Sequence, residues 1–196
     1  MNNRDFKIYK DGPKHTIRFD YYSEPLIKSI VQSRQIEDIT VFKDYKTISF
    51  TATSIQTYIS SGKQLSYDAA LRLVSSLARQ LKYLIEVHSL CFYIYSLDNL
   101  FILDDNKFVY ISNEHLGKLT DNSVLIIQPF KEQFVSPELM RITHIPAKVD
   151  YRTAYYSLGM MVMHLLSGEE VKGTKLFALL NRCLAEDPCK RSFLFI

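Results

Sequence analysis

The chain has little of several things, and each shortage removes a class of function. It holds three cysteines in 196 residues, Cys91, Cys183 and Cys189. An odd number in apolar or loop contexts argues against a disulfide framework and for reduced thiols in an intracellular or cytoplasmic setting. No cysteine and histidine recur at the short regular spacing of a metal site, so no metal is expected. Glycine is scarce, six in all, and only Gly12 precedes residue 60. One glycine beside Pro13 cannot present the run of backbone amides that cradles a triphosphate. Neither sign of charge prevails: 24 Lys and Arg against 21 Asp and Glu leave +3, too even and too scattered for a nucleic-acid groove. No apolar run approaches the roughly 20 residues that cross a bilayer. The longest, Leu158 to Leu166, is interrupted by Gly159 and His164 and reads as a buried helix. Met1 to Asp5 lacks the apolar core of a signal peptide.

What is present is the material of a globular core: 47% hydrophobic and 13% aromatic residues, enough for one domain, or for one domain of two tightly packed lobes. The first 55 residues or so read as a small antiparallel sheet with one helix. Phe6-Lys7-Ile8-Tyr9 alternates and ends at the turn Asp11-Gly12-Pro13. Thr16 to Tyr22 resumes the alternation, with Ile17 and Phe19 on one face and Arg18 and Asp20 on the other. Ser23-Glu24-Pro25 opens a short helix striped by Leu26, Ile27, Ile30 and Val31. Ile36 to Lys43 and Thr47 to Ala52 form a hairpin about Asp44-Tyr45-Lys46.

The rest reads as mostly helical. Ser66 caps a long helix whose apolar stripe runs Ala70, Leu73, Val74, Leu77, Leu81, Leu84 and Ile85. Phe101 to Leu103 and Phe108 to Ile111 make a second hairpin about Asp104-Asp105-Asn106. Ala154 to Leu166 is apolar nearly all round, with Met160, Met161 and Met163 as core filler, and ends at Gly168. Thr174 caps a last helix carrying Leu176, Leu179, Leu180 and Leu184, which stops before Asp187-Pro188. No repeat and no linker interrupts the chain.

Four short stretches, in this order, resemble a protein kinase. Leu71 to His88 with Ser89 is similar to the helix that precedes the catalytic loop. Phe134-Val135-Ser136-Pro137-Glu138 resembles the Ala-Pro-Glu segment. Tyr155-Tyr156-Ser157-Leu158-Gly159 resembles the central helix of the C-lobe, which makes Gly159 a structural position. Cys183-Leu184-Ala185-Glu186-Asp187-Pro188-Cys189-Lys190-Arg191 resembles the final helices. The resemblance implies an α+β, protein kinase-like fold in a single domain. Residues 1–55 would be a reduced, small antiparallel-sheet N-lobe and residues 56–196 a mainly helical C-lobe. It also implies a buried bidentate pair between Glu138 and Arg191 that clamps one segment to the C-lobe; two unrelated surface charges are the alternative.

The same alignment removes the chemistry. Phosphoryl transfer uses a catalytic-loop Asp, a metal-binding Asn, a second Asp for magnesium and a phosphate-binding Lys. Asn99 falls on the family's Asn, and the register then puts Ile94 on the catalytic Asp. Asn113 of Asn113-Glu114-His115 falls on the magnesium-binding Asp, and an uncharged amide is a poor magnesium ligand. Ala154 falls on the Asp that holds the catalytic loop, and its loss together with Ile94 would permit a loop released from catalytic geometry. No lysine sits convincingly on the phosphate-binding strand; Lys14 and Arg18 are strained substitutes. No catalytic residue is therefore expected, no cofactor, and no nucleotide contact beyond the candidate Asn99, which suits a turn before Phe101 equally well. Phe92, Tyr93 and Tyr95 replace polar catalytic-loop residues, either filling the vacated cleft or offering a surface to a partner. Glu114 and His115 read as solvated loop residues.

These readings together describe a non-catalytic pseudokinase that acts as an interaction or scaffold module. Its partner would be a protein: a kinase, a kinase substrate or an assembly subunit, with no nucleic acid and no membrane. A divergent phosphotransferase and a structural subunit of a larger assembly are the alternatives.

Overall fold

A computed structural model describes residues 6–11, 14–20, 24–32, 39–42, 46–51, 65–103, 107–131, 133–166 and 171–193. The turns at Gly12-Pro13, Asp44-Tyr45 and 104–106, the Ser23 cap, Gly168 and the boundary near residue 55 lie outside them.

Strands β1 (Phe6–Asp11) and β2 (Lys14–Phe19) pair antiparallel, with Phe6 opposite Phe19 and Ile8 opposite Ile17. Helix α1 (Glu24–Gln32) follows, then β3 (Ile39–Val41) and β4 (Thr47–Thr51), giving the sheet order β1-β2-β4-β3. The alternation read from sequence is realised: Ile17, Phe19, Ile48 and Phe50 are buried while Arg18 and Asp20 face water. Ile17 sits directly opposite Ile48, so the buried face is built of cross-strand apolar pairs.

Helix α2 (Tyr67–His88) begins where Ser66 Oγ accepts from the Ala69 N–H at 3.3 Å, with Asp68 in its first turn. It ends at Ser89, whose left-handed backbone (φ 50°) turns its N–H back to the Leu84 carbonyl. That reversal feeds the chain straight into β5 (Leu90–Phe92). A short 3-10 turn, Leu97–Asn99, leads into the hairpin β6 (Leu100–Ile102) and β7 (Phe108–Tyr110). The ring of Phe6 lies 5.6 Å from that of Phe101, edge to face, so the first sheet and the later hairpin share one contiguous apolar core.

The second part departs from the mainly helical expectation. β8 (Leu116–Thr120) and β9 (Ser123–Ile126) form a hairpin, and β10 (Ala147–Asp150) adds to β9. With β5 these make a four-stranded sheet of order β10-β9-β8-β5. The β8–β9 turn is Asp121-Asn122, both at positive φ (50° and 59°), the backbone of a tight two-residue hairpin. Gly117 permits the sheet to close, because a Cβ there would lie 2.6 Å from the Leu125 carbonyl oxygen. Between β9 and β10 lies the one-turn helix α3 (Pro137–Met140), capped by Ser136.

Helix α4 (Thr153–Leu165) runs through the core, with Ala154, Leu158, Met161 and Val162 wholly buried. Thr174 Oγ1 caps α5 (Lys175–Cys183), accepting from the Phe177 N–H at 3.2 Å. The two helices approach closely at Gly159, where a Cβ would come within 3.0 Å of the Cys183 Cβ. The architecture is α+β: one small antiparallel sheet opens the chain order, further strands follow the long helix, and α4 and α5 come last.

Candidate functional site

The segment that leaves β5, Phe92-Tyr93-Ile94-Tyr95, is the centre of the candidate site, and all four side chains are buried. Ile94 is wholly enclosed. Phe92, Tyr95 and Tyr110 pack edge to face or tilted, with ring centroids 4.7 to 5.6 Å apart. Of the two readings of these aromatics, filling the interior holds, and the exposed surface is corrected: no ring of this segment reaches solvent appreciably. Burial pushes the Tyr95 phenol well above its ordinary value, and its hydroxyl has no hydrogen-bond partner among the described residues.

The backbone here is held by hydrogen bonds. Ala154 offers no polar side chain, but its neighbours on α4 do. Ser157 Oγ accepts from the Tyr95 N–H at 2.8 Å, and Thr153 Oγ1 donates to the Tyr93 carbonyl at 3.4 Å. The Tyr93 N–H donates to the His115 carbonyl at 3.0 Å, and the Ser96 N–H to the Tyr110 hydroxyl at 3.0 Å. Two hydroxyls one helical turn apart thus hold this stretch of backbone by hydrogen bonding.

Asn99 closes the 3-10 turn, nearly buried; its N–H donates to the Ser96 carbonyl at 3.3 Å and its own carbonyl accepts from the Ile111 N–H at 2.9 Å. That bond ties it to the chain two residues before Asn113, which is half-buried and accepts through its carbonyl from the Leu116 N–H at 3.1 Å. Glu114 is exposed, but His115 is buried, which corrects its reading as a solvated residue. Its Nδ1 meets the Tyr110 hydroxyl at 2.5 Å, and its ring stacks on Tyr110 with 6.1 Å between centroids. Tyr93 closes over the same turn by donating its hydroxyl to the Glu114 carbonyl at 2.7 Å.

Tyr110 is the hub of this arrangement, and its main chain is gripped by Gln80 from the buried face of α2. Gln80 also donates to Ser29 Oγ of α1 at 3.2 Å. A polar line therefore runs Ser29, Gln80, Tyr110, His115 through an otherwise apolar interior, each member satisfied by another. Gln80 lies at the helical spacing of Leu73, Leu77 and Leu84, so an amide inside an apolar stripe was the available signal. Thr153 and Ser157, four apart at the start of an apolar helix, left a similar one.

The structure brings Glu138 and Arg191 together. Arg191 is 2% exposed. Its Nη1 and Nη2 fork onto the two carboxylate oxygens of Glu138, the second at 2.9 Å. Its remaining N–H groups reach the carbonyls of Ala185 at 2.7 Å, Glu186 at 2.9 Å and Arg152 at 3.4 Å. The guanidinium also lies 4.8 Å over the Tyr156 ring. Beside it, Ser136 Oγ and Thr153 Oγ1 are 2.6 Å apart, so α3 is pinned both to the start of α4 and to the chain end.

Among the described residues, no three His, Cys, Asp or Glu side chains are placed to share a metal ion, and no helix is long and apolar enough to cross a membrane. No model of a known protein family matches the chain, and no curated protein sequence matches it.

Proposed function

We propose that the chain is a catalytically inactive protein kinase-like protein, a pseudokinase, that works by binding another protein. The observation that carries the reading is Ile94, the position aligned with the catalytic base: an apolar side chain, wholly buried. A positioned base contributes about 10²–10⁴ in rate, and stabilising the transferring phosphoryl group usually contributes more. An isoleucine at the base and an amide at Asn113 supply neither.

The order of elements supports the family part of the reading. A sheet with one helix, a long capped helix, a hairpin, the Ser136-Pro137-Glu138 segment, a buried helix and a last helix follow one another as the resemblance implies. The fork of Arg191 onto Glu138 is the contact that the resemblance assigns to those positions. Architecture without its chemistry is suited to presenting a surface. The partner is a kinase, a kinase substrate or a subunit of an assembly.

The test is thermal unfolding with ATP and magnesium, alongside radiolabelled phosphoryl transfer to the chain itself and to a generic protein. An unchanged melting temperature and no transfer are expected. A rise of several degrees, or transfer lost in Asn99→Ala, overturns the inactive reading in favour of a divergent phosphotransferase. Affinity purification from the native source then separates a transient partner from a fixed assembly.

A further inference from the structure

We draw no further inference here: the strongest candidate, the cleft of about 350 Å³ between α2 and the lead-in to α4, walled by Ile85, Tyr151, Tyr155 and Phe193, is an apolar face whose one cation and one anion, Lys82 and Glu86, already meet each other, and nothing in the structure shows what covers it.

Discussion

Gln80 turns both ends of its side-chain amide onto the main chain of one residue, Tyr110. Nε2 donates to the carbonyl at 2.8 Å, and Oε1 accepts from the N–H at 3.1 Å. A neighbouring strand would make the same two bonds, so α2 stands in for a strand beside β7.

Gln80→Leu should therefore cost about 2–4 kcal/mol, because it fits the apolar stripe yet removes both amide bonds to the buried Tyr110 main chain. Denaturant unfolding reads the loss. Hydrogen exchange should show α1 and β7 losing protection before the β8–β9 hairpin, since Ser29 loses its contact as well. An unchanged midpoint would mean that the amide is replaceable by shape alone.

Breaking the fork between Glu138 and Arg191 leaves one of its two charges without the other. Glu138→Gln or Arg191→Met should destabilise by about 3–5 kcal/mol. The double variant Glu138→Met, Arg191→Met should cost less than the sum of the single changes, because no lone charge is left behind. Unfolding midpoints of the four proteins test this; single changes below about 1 kcal/mol would reduce the fork to a surface-like pair.

Two glycines should respond differently to alanine. At Gly117 the added methyl meets the side chain of Val124 and the Leu125 carbonyl oxygen 2.6 Å away. Backbone cannot give as a flexible side chain does, so Gly117→Ala should cost about 3 kcal/mol and loosen the β8–β9 pairing. At Gly173 the space is open and the backbone is left-handed, φ 79°, so Gly173→Ala should cost about 1 kcal/mol from conformation alone. Circular dichroism melts of the two variants distinguish crowding from strain.

Thiol chemistry should divide the cysteines. Cys91 and Cys183 are buried and Cys189 is exposed. A thiol reagent should label one cysteine in the native protein and three after denaturation. Burial pushes the Cys183 thiol up to about 12 and Cys91 higher still. An unfolded thiol ionises near 8.5. The folded state thus holds protons that the unfolded state releases, and stability should fall as pH rises from about 8.5 towards 12. Urea midpoints under reductant should decline from pH 8 to pH 10; a flat profile would contradict the burial of both thiols.

Much of the architecture could be read along the chain because it is encoded locally. Ser66 and Thr174 cap where their hydroxyls precede an apolar stripe, and the stripe of α2 needs only its own spacing to be seen. Alternation exposed Ile17 and Phe19 as one face in the same way. β8, β9 and β10 were missed for the opposite reason: each has five residues or fewer, and Val149 finds Val124 only in the folded sheet.

The candidate site divides along the same line. That Ile94, Asn113 and Ala154 carry no carboxylate is a matter of covalent identity, and reading the residues suffices for it. Whether Tyr93 and Tyr95 face water or the interior is not, since a phenol ring serves either place equally well. Folding settles it by bringing Thr153 and Ser157 to backbone groups 60 and 62 residues away. Periodicity records which face of an element is apolar; it carries no record of which distant donor will find which acceptor, because that choice is made only when the elements pack.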